Sequence, residues 1–398
     1  MATKAGVGMS RHHDPNVAGR EAAGQALQKA GVSKPDLVFV FGSIGYDQNS
    51  LVRAVREATG GAPLTGCSVE GTIDGDDADE SHFSVLVTVV SSEELQWHNG
   101  LATGLSADAC DLGQRIAKDL LPHLSSDTIG LFIFPDGLTY DIDNFFAGLE
   151  GDLPSDRFLP IWGGGAGNSL HPWKPTYQYC DDEVASDGIS YALLSGEARP
   201  AWAIGHSLIP IGGERKVTRS QGNVIYEIDG KPAVEVLKEY LPEDAITEDR
   251  DWLRYAISLA LSFRAPSYMK DEEYVVRGVP QLSLTDGSIT VQTEVKEGTS
   301  IWFSSRDKEK ITTGFDRMAA QIKEQLDGAQ PELVFQFECV TRGKLMFREQ
   351  EKLQLLKRFR RSVDPEVPWV GFYTIGEIAP VEEHNGINRF ASIILALS

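Results

Sequence analysis

Apolar residues along this chain fall in short, strand-sized runs, separated by helix-spaced stretches and by turns marked with glycine and proline. Three runs open the same succession of elements, and Asp36–Phe41, Ile129–Phe134 and Glu332–Phe337 each read as a strand. A polar or glycine-containing turn follows each: Gly42-Ser43, Pro135-Asp136-Gly137 and Glu338-Cys339. Apolar positions at about helical spacing come next, over Ser50–Thr59, Asp141–Leu149 and Glu349–Arg361. Each copy then passes a proline–glycine turn and closes in a second apolar run, Phe83–Val90, Gly188–Leu194 or Phe390–Leu397.

The three turns share a spacing. They read Pro63-Leu-Thr-Gly66-Cys-Ser-Val-Glu-Gly71, Pro160-Ile-Trp-Gly163-Gly-Gly-Ala-Gly-Asn168 and Pro368-Trp-Val-Gly371-Phe-Tyr-Thr-Ile-Gly376, or P-x2-G-x4-[GN] in corresponding places. Proline bars the helix from running on and holds its neighbour extended. The glycines admit positive φ or close backbone approach. Such turns either let strands pack tightly or leave backbone N–H groups facing a ligand. Three in one frame point to a shared ligand-facing edge.

Between the second and third copies, Ala198–Gln330 has another pattern. Strand runs stand at Trp202–Ile209 and Val224–Ile228, and a helix begins after Pro232 within Gly230–Leu241. A meander covers Val275–Val279, Gln281–Leu284, Ser288–Thr293 and Ser300–Phe303, with Asp286-Gly287 as its hairpin signal, before a helix over Thr312–Leu326. The polar start, Met1–Asn16, predicts disorder. The fold class expected is α/β in the mixed α+β sense: repeated strand–helix–glycine-turn–strand units forming mixed sheets covered by helices. Two associated domains are expected, residues 1–219 with the copies at 36–90 and 129–194, and residues 220–398 with the copy at 332–397.

Composition then narrows the function. The 398 residues are 41% hydrophobic and 24% charged, as in soluble chains of two or three domains. With 58 acidic against 37 basic residues, the net charge of −21 repels phosphate backbones and anionic lipid, so neither nucleic acid nor membrane is an expected partner. The one basic cluster, Lys357-Arg-Phe-Arg-Arg361, reads as a helix end complementing the dipole. The longest apolar runs, Phe83–Val90 and Ala391–Leu397, are too short to span a bilayer. Met1–Ser10 lacks an apolar signal core, so a cytoplasmic location is expected. Cys67, Cys110, Cys180 and Cys339 are scattered, with no CxxC pair to support zinc or c-type haem.

Several segments resemble the FIST family, in the family's order. Gly66-Cys-Ser-Val-Glu-Gly71 after Pro63 resembles the GCS-x-x-G motif of the FIST N-terminal domain. Val224–Ala233, Phe337-Glu-Cys-Val-Thr-Arg342 and Gly371–Pro380 followed by Asn385-Gly386 resemble the FIST C-terminal domain. Position 72 is Thr where the GCSTAGE form commonly carries an acid, and Glu70 supplies a carboxylate two residues earlier. The resemblance spans roughly Asp36 to the C-terminus and implies a sensory module that binds a small molecule, with amino acids among the ligands proposed for the family. It also brings in two further readings, since a subset is described as haem-binding gas sensors and one eukaryotic relative is an adaptor. No kinase, cyclase, receiver or F-box segment is recognisable, so the output is expected in a separate signalling partner protein.

The expected ligand residues are Gly66, Cys67, Ser68 and Glu70 of the first turn, Gly164, Gly165 and Asn168 of the second, and Arg342, Tyr373 and Glu377 around the third. Arg342 and Glu377 suit the carboxylate and amine of an amino acid, or a structural salt bridge between turns. Tyr373 and Trp162 would line the pocket or pack in the core. Cys67, on a glycine turn, is either a nucleophile activated by free N–H groups or a small inert thiol. An enzyme using Cys67, or Glu70 and Glu377 as acid–base groups, is therefore the alternative to a sensor. No cofactor or metal is expected. Haem would need an axial ligand, for which His206 has the only apolar setting among the histidines, and Asp74–Glu80 lacks EF-hand spacing and reads as a solvated loop.

Overall fold

The computed structural model describes residues 3–139, 141–171, 174–265 and 274–398. The chain forms two compact units, Met1–Gly205 with Thr312–Ser398, and His206–Ile311.

Much of the stretch expected to be disordered is ordered. It holds β1 (Lys4–Ser10) and the start of α1 (Pro15–Ala30). Asp14 caps the helix by accepting the N–H groups of Asn16 and Val17 at 2.8 and 3.0 Å, and Gly31 closes it in the left-handed conformation. The helix is rich in Ala and Gly and so carries little apolar pattern. That smallness lets it lie on β1, where a Cβ on Gly6 or Gly8 would stand 2.2 or 2.1 Å from a carbonyl oxygen of α1.

The first copy contains β2 (Leu37–Ser43), α2 (Gln48–Ala58), β3 (Leu64–Val69), β4 (Gly71–Asp74), β5 (Asp77–Asp79) and β6 (Val85–Ser91). The second follows with β7 (Leu95–Thr103), α3 (Ala109–Leu120), β8 (Thr128–Pro135), α4 (Ile142–Asp152), β9 (Ile161–Gly164), β10 (Gln178–Cys180), β11 (Glu183–Ala185) and β12 (Gly188–Gly196). Next comes β13 (Pro200–His206), the first part of the run expected at Trp202–Ile209.

The unit His206–Ile311 holds β14 (Leu208–Pro210), β15 (Arg215–Gln221), β16 (Val224–Ile228), β17 (Lys231–Pro232), α5 (Ala233–Lys238), β18 (Leu259–Arg264), β19 (Tyr274–Arg277), β20 (Gln281–Ser283), β21 (Ser288–Thr290) and β22 (Ser300–Arg306). These strands form one sheet, in the order β19-β18-β22-β15-β16-β21-β20 with β14 on β22 and β17 on β16. Val217, Ile225, Trp252 and Phe303 belong to its own buried core.

After α6 (Lys308–Leu326), the third copy contains β23 (Leu333–Cys339), α7 (Glu349–Val363), β24 (Trp369–Thr374), β25 (Glu377–Ile378), β26 (Ile387–Asn388) and β27 (Ala391–Leu397). Mixed sheets with helices make this an α/β fold in the mixed sense expected.

Three six-stranded sheets are built alike: β1-β6-β2-β3-β10-β11, β7-β12-β8-β9-β25-β26 and β13-β27-β23-β24-β4-β5. The first four strands of each come from one copy and its leading strand, with the strand before and the strand after the helix parallel. The last two are a hairpin from another copy. The first copy lends β4–β5 to the third, the third lends β25–β26 to the second, and the second lends β10–β11 to the first. Corresponding phenylalanines meet inside. Phe39, Phe132 and Phe335 form a triangle with centroids 5.6, 4.8 and 5.1 Å apart, mostly edge-on or tilted. The copies thus share one core, and each is sealed by its neighbour's hairpin.

Candidate functional site

The first glycine of the repeated pattern serves strand packing. In the parallel pairs, Gly66 lies opposite Val40, Gly163 opposite Ile133 and Gly371 opposite Gln336. Gly66 and Gly163 adopt φ of 149° and 152°, and a Cβ on either would stand 1.9 Å from the carbonyl oxygen of Val40 or Ile133. At Gly371 the corresponding approach is 2.9 Å. This close strand contact, rather than ligand access, accounts for the glycine at this position.

The turns do converge, and they use their donors on one another. Glu70 N–H donates to Tyr373 O at 3.0 Å, Gly167 N–H to Ser68 O at 2.8 Å, Gly165 N–H to Gly376 O at 2.8 Å and Ile375 N–H to Gly165 O at 3.1 Å. Ser68 Oγ donates to Gly167 O at 2.7 Å and accepts Tyr177 N–H at 2.8 Å. Glu70 is buried and accepts the N–H groups of Asn168 and Leu170 at 2.7 and 3.2 Å, which offset the burial that raises its carboxyl. Asn168 shapes its own loop by donating Nδ2 to His171 O and Lys174 O. Gly164 and Gly165 face Thr374 and Ile375, where a Cβ would come within 2.9 and 2.4 Å. The expected ring of free N–H groups is therefore spent on a junction between copies.

Cys67 is fully buried, and burial pushes its thiol well above the ordinary value. Of its two readings, the inert thiol is the one this setting supports. Trp162 and Tyr373 are likewise fully buried. The run Asp74–Glu80, expected as a solvated loop, includes parts of β4 and β5 and pairs through β4 with β24. Glu80 at its end is buried and ion-paired to Lys352 at 2.7 Å. Among the described residues no three His, Cys, Asp or Glu side chains are grouped to hold a metal ion, and no helix is long and apolar enough to cross a membrane. The basic cluster on α7 forms ion pairs, Arg358 with Asp316 at 2.6 Å and Arg360 with Asp76 at 3.2 Å.

Unspent polar atoms remain at the end of β23. Arg342 Nε donates to Glu338 Oε1 at 2.5 Å, with both side chains almost wholly buried, and Nη1 donates to Gly205 O at 2.9 Å. Its Nη2 is buried without a hydrogen-bond partner among the described residues. Glu377, on the lent strand β25, is fully buried. Its Oε2 accepts Ala391 N–H at 3.0 Å, while Oε1 is buried without a hydrogen-bond partner among the described residues. Burial pushes the Glu377 carboxyl up to about 8, against the opposing pull of Ala391 N–H, Arg389 and the Cys339 thiol, and the charge of Glu338 pushes it the same way as burial. Cys339 lies close enough that the Glu377 charge adds to burial in raising its thiol to about 12. Glu338 was not singled out from sequence, although its spacing of four residues from Arg342 was available as a signal.

The sign of the resulting pH effect follows. Folded Glu377 holds its proton up to about 8, whereas the ordinary value is 4.5. Its contribution to stability is full below 4.5 and is lost as pH rises through 8, by about 1.4 kcal/mol per pH unit inside that window. Thermal unfolding followed from about pH 5 to pH 8 should show a falling Tm in the wild type and a flatter profile in Glu377→Gln.

The ten residues expected to bind ligand line none of four cavities on this unit. The family model for the FIST N domain matches residues 36–231, and that for the FIST C domain matches residues 233–380. An uncharacterised protein of Mycobacterium tuberculosis H37Rv is 25% identical over 408 residues, covering 97% of both chains. Another, from Methanocaldococcus jannaschii, is 26% identical over 368 residues, covering 84% of this chain and 68% of that one. Among solved structures, a chorismatase has a TM-score of 0.38 at 11% identity, covering 100% of this chain and 99% of its own. A cyanuric acid hydrolase from A. caulinodans has 0.38 at 9%, with the same coverage. Both structural likenesses are too weak to carry an inference.

Proposed function

The chain belongs to the FIST family of sensory domains, and from that premise we propose that it binds a small polar ligand at the third turn and reports binding to a separate partner protein. The observation that carries this reading is that two buried polar atoms near the third turn, Glu377 Oε1 and Arg342 Nη2, have no hydrogen-bond partner among the described residues. Each such atom costs about 1–3 kcal/mol when left unsatisfied, so a ligand that supplies the missing partners gains that amount. An ammonium group suits Glu377 and a carboxylate suits Arg342, which makes free amino acids the first class to test.

The topology supplies a route for the signal. Glu377 lies on β25, which pairs with β9 of the second copy, whereas Arg342 lies in the turn that directly follows β23 of the third copy's own sheet. A ligand held between them pulls on a hairpin shared by two copies, and this differential strain favours one packing over another. Both side chains are buried, so entry requires the third turn to open.

Thermal-shift measurements with the common amino acids and small organic acids test this reading. At least one class is expected to raise Tm, with the gain lost in Glu377→Gln and in Arg342→Met. The reading fails if no compound raises Tm while both variants change stability alone.

A further inference from the structure

Each copy grips its neighbour's hairpin near the end of its helix, and the three grips differ. In the first copy, Arg56 of α2 donates Nη1 to Ala62 O at 2.9 Å and to Asp181 Oδ1 of the β10–β11 turn at 2.6 Å. Asp181 in turn accepts Leu64 N–H at 3.0 Å. In the third copy, Arg360 of α7 donates to Val367 O at 3.3 Å and to Asp76 of the β4–β5 turn at 3.2 Å. That hairpin is tied again by Arg11 to Asp77 and Asp79, and by Lys357 to Asp76. In the second copy the corresponding backbone groups, Leu159 O and Ile161 N–H, are both met by Asn385 of the β25–β26 turn, at 2.9 Å each. The helix there offers Glu150, which accepts Asn385 Nδ2 at 2.9 Å. A neutral amide thus stands where the other two grips have an arginine–aspartate pair.

Three further features set the β25–β26 hairpin apart. β25 meets β9 only at Glu377 and Ile378, whereas β10 meets β3 over Gln178–Cys180 and β4 meets β24 over residues 71–73. Seven residues, 153–159, separate α4 from Pro160, against four in the first copy (59–62) and four in the third (364–367). Beside this longer loop lies a cavity of about 370 Å³, lined by Phe158, Leu159, Glu383 and Asn385 among others. The hairpin is also flanked by two positions of positive φ, Gly376 at 101° and Phe390 at 55°. Phe390 is bulky and disfavours that conformation. At the same place before its closing strand the second copy has Asp187, a residue type that tolerates it, with φ of 54°. Strain held at the ends of an element is released when the element moves. Against release stand the buried side chain of Ile378 and the bond from Trp202 Nε1 to Pro380 O at 2.9 Å.

We propose that the β25–β26 hairpin is the one of the three that detaches, pivoting at Gly376 and Phe390 and carrying Glu377 out of the interior. Glu377 Oε2 joins the residues next to the two pivots by accepting Ala391 N–H at 3.0 Å, so a group that binds this carboxyl acts on the base of the hairpin. That the opening admits a ligand rests on the reading above. The opening itself does not, and it is measured without ligand.

Native-state hydrogen exchange of the full chain compares the amides of the largely buried strands β4, β10 and β25. A small thiol reagent, methyl methanethiosulfonate, is followed at each cysteine by mass spectrometry. Cys339 lies against the Glu377 carboxyl, whereas Cys67 sits in the shared core and reports global unfolding. β25 is expected to exchange at least about ten-fold faster than β4 and β10, and Cys339 to be labelled at least about ten-fold faster than Cys67. Glu150→Arg with Asn385→Asp rebuilds the missing ion pair. It should slow both β25 exchange and Cys339 labelling about three-fold, the worth of one partly exposed pair. Equal protection of the three strands, labelling of Cys339 no faster than that of Cys67, or a rebuilt pair that slows neither would each overturn the proposal. A hairpin that opens while no amino acid or organic acid raises Tm supports it and removes the ligand reading alone.

Discussion

Gly66→Ala and Gly163→Ala are expected to abolish soluble folded protein, or to lower the denaturation midpoint by the equivalent of at least about 3 kcal/mol. Each substitution places a methyl group 1.9 Å from a backbone carbonyl oxygen of the adjoining parallel strand, at a φ that L-residues rarely adopt. Backbone atoms in a central strand cannot move aside as a flexible side chain can. Gly24→Ala is the matched control. It lies exposed within α1 with nothing near its Cβ position, and should gain up to about 1 kcal/mol from helix propensity. Denaturant titration of the three variants separates the two kinds of glycine by the sign of the effect.

The second large effect is expected at Lys352. Its ammonium pairs with Glu80 at 2.7 Å, with the side chains 3% and 2% exposed. Both Glu80 oxygens also accept Lys344 N–H, at 3.0 and 2.8 Å. Glu80 follows the hairpin that the first copy lends, and Lys352 lies on α7 of the third copy. Lys352→Met leaves a carboxylate buried without its cation and should cost about 3–5 kcal/mol. Adding Glu80→Gln to that variant should restore a large part of the loss, because the buried charge goes with its partner. Urea unfolding of the two single variants and the double variant completes the cycle. Additive losses would show that the pair does not couple the copies.

The repeat was legible because each copy keeps an apolar strand, a helix and a P-x2-G-x4-[GN] turn in one order, and such periodic segments survive in any tertiary setting. The exchange of hairpins was not. Asp77-Ala-Asp79, Gln178-Tyr-Cys180 and Glu377-Ile378 are too short and too polar to show a strand period, and their pairing is set by copies far away in the chain. For the same reason the turn glycines suggested a ligand cradle. Whether an N–H group is free depends on the carbonyl opposite, and for Gly165 that carbonyl belongs to Gly376. Helix α1 escaped notice because its Ala and Gly residues pack closely without an apolar stripe. The candidate site was half legible. Arg342 and Glu377 stood out as charges on neighbouring turns, but the chain pairs Arg342 with Glu338 and buries Glu377, which pushes its carboxyl above the ordinary value.

The ligand reading rests on Glu377, so the most direct test is calorimetric titration of wild type and Glu377→Gln with the compound that stabilises the wild type most. The variant keeps the shape of the carboxyl and removes its ability to meet an ammonium group. Binding at least about ten-fold weaker in Glu377→Gln, with altered exchange protection where β25 pairs with β9, is the predicted result. Equal affinity of the two proteins would contradict it and place any ligand elsewhere on the fold.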